Sequence, residues 1–482
     1  MISSLTAVIL ASHLAGNEAE VNTVAGWRVE ISSKLIKESP QELATALTLL
    51  EGQLKEVARV VPEPALSKLK TVKLFFSPPF PGSPQGAAYH PSAEWLKDNK
   101  RDPRMAGAIE FTNIPTFEKE TRRMPNFALH ELAHAYHHQF LPKGFENEAL
   151  KRAYADAKES GDYDSVERQD SEGKRTKDKA YAMSNQMEYF AELSEAFFSR
   201  NDFFPFNWAE LVWHDPEGAE AVRQAWGVSE VSKPPASVTA NSFYGKFLDA
   251  GGFPILSSSK VRDYALKEAG FLVSQVLSQR PDIKRAMALG GSRMVVMARN
   301  ELTTQVPEHA WLTPKDFWDR RARGLGGSET DPVCSCGEEN LLSFPGDPYA
   351  TESITIHEFA HSIHLRGLKA ADPTFDGRLK AAYDAALKKG LWKDTYAATN
   401  HMEYWAEGVQ SWFDTNREKD SSHNHVNTRA EIKAYDPTLS VLLKEVLGDG
   451  PWRYTKATTR LTGHLAGYDP SKAPTFAWPK GS

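Results

Sequence analysis

The chain has 482 residues, 41% of them hydrophobic and 11% aromatic, enough for sizeable cores and, as a prior from length, about two to four domains. The formal net charge of −6 leaves no basic excess to neutralise phosphates, so neither a nucleic-acid nor an anionic-membrane partner is expected. No segment reaches the roughly 18 apolar residues that a membrane span needs, and the two cysteines, Cys334 and Cys336, offer no disulfide framework. They read as small residues beside a strand rather than a redox or metal pair.

Residues 1–22 read as a signal peptide or an N-terminal tail. A short apolar run at 5–10 is followed by small residues, but a basic start is missing. A secreted or periplasmic location is therefore the expectation, with a cytoplasmic one the alternative. From Gly26 to Ile31 apolar and polar residues alternate, which predicts a half-buried strand. Over 40–61 Leu43, Leu47, Leu50, Leu54, Val57 and Val61 recur at helical spacing. Strands are predicted at 71–76 and 107–112, with a Pro/Gly-rich loop between them. Pro125 then sits where the first residue of a helix would be, ahead of His130-Glu131-Leu132-Ala133-His134.

Residues 229–240, with Pro234-Pro235, read as a linker between a first module at 23–228 and a second at 241–482. The second module repeats the plan. It has a short strand at 253–256, an amphipathic helix over 261–277 and a strand at 293–298. A flexible loop is expected at Gly324-Leu325-Gly326-Gly327 and a short edge strand at Glu339-Asn340-Leu341-Leu342. His357-Glu358-Phe359-Ala360-His361 follows.

Further landmarks keep the same order in both modules. Leu150-Lys151-Arg152-Ala153-Tyr154 is matched by Leu379-Lys380-Ala381-Ala382-Tyr383. The run from Tyr181 through Asn185, Glu188 and Glu192 is matched by Tyr396, Asn400, Glu403 and Glu407. Closing segments run to Asp215-Pro216 and Asp436-Pro437. This is the signature of an internal duplication. The first copy has an extra charged stretch at 162–179, read as a solvated insertion or flexible loop. The aromatic run from Phe197 to Phe206 reads as core or a lid.

One H-E-x-x-H arises by chance often enough to be weak, whereas two with matched downstream segments do not. Residues four apart on a helix share a face, so His130 and His134, like His357 and His361, present two imidazoles to one point. Neutral imidazole is a zinc ligand, and a catalytic zinc usually takes three protein ligands and keeps an open position. Glu131 and Glu358 face the place of a metal-coordinated water, the general-base position. A third ligand six residues past the second His is ruled out. Phe140 and Gly367 occupy that place, and His137 and His364 stand where the pattern needs glycine. A Glu on a later helix is the other source, and Glu188 and Glu403 fit. Glu192 and Glu407, four residues on, are placed to hold a ligand imidazole by its other ring N–H. His137 and His364 are expected to support or line the grooves, and Asn185 and Asn400 to stand in the same outer layer. Tyr181 and Tyr396 are candidates to hydrogen-bond a developing oxyanion, reached either by the long side chain or by a bend before the helix; the other reading is a core tyrosine or one that supports the ligands from behind.

H-E-x-x-H with a distant E-Y-F/W-A-E, and a Tyr seven residues ahead of that Glu, resembles the lethal-factor-like branch of the gluzincin zinc peptidases. The resemblance covers roughly the second half of each module. It implies an α+β fold of two tandem zincin-like modules, each a small mixed sheet followed by a helical active-site subdomain. It implies two Zn2+ per chain, one held by His130, His134 and Glu188 and one by His357, His361 and Glu403. Glu131 and Glu358 would be the general bases, and Tyr181 and Tyr396 would stabilise the oxyanion or protonate the leaving group. The substrate would be a peptide or protein, cleaved internally rather than from an end. The alternative is a non-catalytic zinc-stabilised binding protein, or one active and one recognition module.

Overall fold

In the computed structural model, which describes residues 19–478 apart from 81, 83 and 84, the alternation after Gly26 becomes a strand that buries Trp27, Val29 and Ile31. The apolar run at 5–10 lies outside the described residues. Ala19 already belongs to a strand, so the first unit begins ahead of residue 23. The fold is mixed α+β, with several small sheets. Among the described residues no helix is long and apolar enough to cross a membrane. The chain divides into two units. One runs to Asn207 and adds Glu217–Gly227; the other takes Trp208–Pro216 and everything from Val228 on.

The first unit contains β1 (Ala19–Val24), β2 (Trp27–Ser32), β3 (Leu74–Phe76), β4 (Ala87–Tyr89) and β5 (Ile109–Phe111). They form one sheet in the order β1-β2-β3-β5-β4. β2, β3 and β5 are parallel, while β1 and β4 pair antiparallel on the two edges. The helix Pro40–Val60 covers this sheet with Leu43, Leu50, Leu54 and Val57, all buried. The motif helix Phe127–Phe140 packs against the helix Pro40–Val60 and against β4 and β5. Its first residue is Phe127 rather than Pro125, and Asn126 caps it: its Oδ1 accepts the Leu129 N–H at 3.1 Å, satisfying one of the donors a helix start leaves open. The charged stretch at 162–179 is an ordered hairpin rather than a loose loop, with β6 (Val166–Gln169) paired antiparallel to β7 (Arg175–Asp178).

The second unit repeats the order with one strand added. Its strands are β8 (Val231–Ser232), β9 (Lys246–Asp249), β10 (Pro254–Ser257), β11 (Arg293–Met297), β12 (Gly324–Leu325) and β13 (Val333–Gly337), arranged β12-β13-β11-β10-β9-β8. β10, β11 and β13 are parallel; β9 and β12 pair antiparallel to them, as β1 and β4 do in the first unit. The stretch read as a linker therefore contributes β8, which pairs with β9.

Two local elements differ from their reading in the sequence. The edge strand is Gly324–Leu325, read from sequence as a loop. Glu339-Asn340-Leu341-Leu342, read as a strand, lies instead in and just after the helical turn Glu338–Leu341. Glycine misleads because it weakens a strand in general yet is needed where two backbones come close. A Cβ on Gly324 would stand 3.3 Å from the Ser335 backbone oxygen of β13 and 3.0 Å from the Glu358 Cγ. The turn at 338–341 is set by buried polar groups. Glu339 pairs with Arg323 at 2.6 Å, and Asn340 donates to Asp347 and to the Glu352 carbonyl. Cys334 and Cys336 are free, buried residues of β13, the interior strand beside this edge.

Candidate metal centres

Each motif helix meets a second helix that carries the downstream Glu. In the first unit this is Gln186–Phe198, in the second His401–Trp412. Asn185 and Asn400 start these helices. Asn185 Oδ1 accepts the N–H groups of Met187 and Glu188 at 2.9 and 3.0 Å, and Asn400 Oδ1 those of Met402 and Glu403 at 2.8 and 2.9 Å. Each therefore reaches its cluster through the backbone N–H of the Glu. They set the point at which the helix begins and so where Glu188 and Glu403 stand.

His130 Nε2 lies 3.1 Å from Glu188 Oε2 and 3.1 Å from His134 Nε2, and His134 Nε2 lies 3.2 Å from Glu188 Oε2. In the second unit the same three separations are 3.1, 3.3 and 3.4 Å for His357, His361 and Glu403. Ligands at about 2.0–2.1 Å around a tetrahedral zinc would be about 3.3–3.4 Å apart. Both triangles thus fit a tetrahedral ion with its fourth position open. Two imidazole nitrogens turned toward each other and toward a carboxylate oxygen share one point, which a proton or a metal cation can occupy. The donor set of two nitrogens and one oxygen suits zinc better than calcium or magnesium.

Burial works against a charge on Glu188, but hydrogen bonds from His130 and His134 outweigh it and hold the carboxyl well below the usual range. Glu403 is held low in the same way by His357 and His361. Burial would lower the two leading histidines, yet the carboxylates reverse that effect. His130 is held well above the ordinary imidazole value and His357 rises to about 10.

Behind the leading histidines the units differ. His130 Nδ1 faces Glu195 Oε2 at 3.5 Å and Glu192 Oε1 at 3.6 Å. His357 Nδ1 donates to Gln410 Oε1 at 2.8 Å and faces Glu407 Oε1 at 3.6 Å. Glu195 and Gln410 were missed from sequence. Both lie seven residues past the ligand Glu, on the same helical face, and that spacing was the available signal.

Glu131 and Glu358 line the clefts beside the ligands, the first in a cleft of about 600 Å³ and the second in one of about 840 Å³. Glu131 Oε2 accepts the backbone N–H of Tyr89, on edge strand β4, at 2.7 Å. Burial pushes the Glu358 carboxyl up. Gln85, Gly86 and Ala87 line the first cleft and Gly324, Leu325 and Gly326 the second, so each cleft runs along the edge of its sheet. Tyr181 and Tyr396 also line the clefts. Each sits on a 3-10 turn that an extended Asn separates from the Glu helix, which supplies the bend needed to aim the ring inward. The Tyr396 ring is centred 6.2 Å from that of His357. Burial raises both phenols, Tyr396 to about 12, so each is a hydrogen-bond donor at neutral pH.

His137 and His364 do not line the clefts. His137 is fully buried between Phe145 and Phe190, each ring centre 5.2 Å away. His364 turns to Asp376 at 2.9 Å.

No protein-family model, curated protein or solved structure matches the chain. The functional reading therefore rests on the two sites themselves.

Proposed function

We propose that the chain is a zinc-dependent peptide-bond hydrolase of gluzincin type, with one zincin-like module and one site in each half. One observation carries the reading. Twice, three ligand atoms lie 3.1–3.4 Å apart while the carboxylate next to the leading His lines a cleft along a sheet edge. A site that only stabilised the fold would need neither that carboxylate nor an open fourth position.

A substrate peptide in extended form adds to the edge of β4 or β12, where main-chain hydrogen bonds give affinity without requiring a chain end. That favours internal cleavage. His130, His134 and Glu188, or His357, His361 and Glu403, hold the zinc, which supplies a Lewis acid and lowers the pKa of water. Glu131 and Glu358 accept the proton from the attacking water and pass it to the leaving amine. The Tyr89 N–H keeps the Glu131 carboxylate aimed along the cleft. Tyr181 and Tyr396 donate a hydrogen bond to the oxygen that gains charge as the carbonyl carbon becomes tetrahedral.

The test is a digest of a diverse peptide library by the wild type and by the Glu131→Gln/Glu358→Gln double variant, with zinc content measured on both. Cleavage should fall by about 10²–10⁴-fold with zinc retained. Undiminished cleavage in the double variant, or two bound zinc ions with no cleavage by the wild type, would overturn the proposal.

A further inference from the structure

His364, Asp376 and His401 form a separate cluster in the second unit. Asp376 Oδ1 lies 2.9 Å from His364 Nε2 and 3.1 Å from His401 Nε2, and the three ligand atoms all fall within 4.8 Å of one another. They come from three elements. His364 is on a π-helical turn, Ile363–Leu368, that continues the motif helix just past His361. Asp376 is in the first turn of the helix Phe375–Lys388. His401 is the first residue of the helix that carries Glu403.

The first unit is an internal control. Its matching positions hold His137, Asn147 and Gln186, and each has another task. His137 packs between two phenylalanines, Asn147 caps the helix Glu148–Ser160 by accepting the Leu150 N–H at 3.2 Å, and Gln186 donates to the Phe145 carbonyl at 3.4 Å. There the motif helix stays α-helical to Phe140. In the second unit, by contrast, Asp replaces Asn, His replaces Gln, and a π-turn brings the shared His round to meet them. Such turns interrupt α-helices frequently at functional sites.

We infer that His364, Asp376 and His401 form a third cation site, for zinc or a similar borderline divalent ion, specific to the second unit. Two imidazoles and one carboxylate favour such an ion over magnesium or calcium. Ligands about 2.0–2.1 Å from one ion can be no more than about 4.2 Å apart, so any remaining gap is small. The Asp376 side chain is 61% exposed and that of His401 24%, which leaves both free to close it and leaves water access to the remaining positions. A bound ion ties the turn after His361 to the residue two before Glu403, bracing the second site's ligand helices from outside the cleft.

The test is equilibrium dialysis against zinc chloride, with metal counted per chain by elemental mass spectrometry. The wild type is compared with Asp376→Asn/His401→Gln, which installs the residues the first unit already carries. His401→Gln alone is run alongside in case the double variant does not fold, with circular dichroism as the check. Each folded variant should bind one zinc fewer per chain than the wild type. Equal stoichiometry would overturn the inference. The difference of one ion is expected whether or not the two H-E-x-x-H clusters load, so a failure here is distinct from a failure of the hydrolase reading.

Discussion

Behind His130 stand two buried carboxylates, whereas behind His357 stand one carboxylate and one amide. Burial pushes Glu192 up to about 8 and Glu195 to about 7, so this pair keeps a proton near neutral pH. Gln410 cannot titrate. Its Nε2 donates to Glu352 at 2.9 Å, which pins the amide and points its oxygen at the imidazole. The first site thus has an electrostatic support that varies with its proton content, and the second a fixed dipole. The three ligands repeat between the units, but what orients them does not. Support groups tune both the geometry and the basicity of a ligand imidazole, so the two centres should differ in affinity more than their ligand triangles suggest.

The comparison is broken most completely by removing one ligand carboxylate at a time. Glu188→Ala should empty the first site and Glu403→Ala the second, each lowering the zinc content by one ion and leaving the other centre loaded. The cleavage that survives in each variant reports the share of the untouched cleft. Next in size are the tyrosines. Tyr181→Phe and Tyr396→Phe should each lower kcat at their own site by about 10²-fold with KM little changed, measured in the background of the other ligand variant. A cleft indifferent to its tyrosine is not using it as a donor.

The support groups give a smaller and more discriminating effect. Glu195→Gln should weaken zinc binding at the first site by about 10-fold, and Gln410→Glu should tighten it at the second by a similar factor, read by competition with a chromogenic chelator. Changes of the same sign in both would show that the group at this position does not set the difference. Smallest are the caps. Asn185→Ala and Asn400→Ala should each cost about 1 kcal/mol, seen as a lower thermal midpoint, and the two should be alike because their cap bonds are alike.

Much of the interior was legible because its cause is local. The helix at Pro40–Val60 and the strands at Trp27–Ser32 and Arg293–Met297 follow from runs of apolar residues at one period. Of the candidate site, His130 and His134 share a face because a helix allows nothing else. Glu188 and Glu403 could be named because the sequence carries closely matching downstream segments twice. Asn185 and Asn400 were noticed for the same reason, and the fold makes them caps that hold Glu188 and Glu403 by the backbone N–H.

The two imidazole pairs and the carboxylate beside each could be read from the residues alone, since spacing along one element is set by backbone geometry. Only the tertiary structure decided which strand became the edge, that Glu195 and Gln410 stand behind the leading histidines, and that His364 leaves the cleft for Asp376 and His401. Those outcomes depend on elements distant in the chain. His130 and Glu188 are 58 residues apart and His357 and Glu403 are 46 apart, and how such elements approach is settled by how closely they pack.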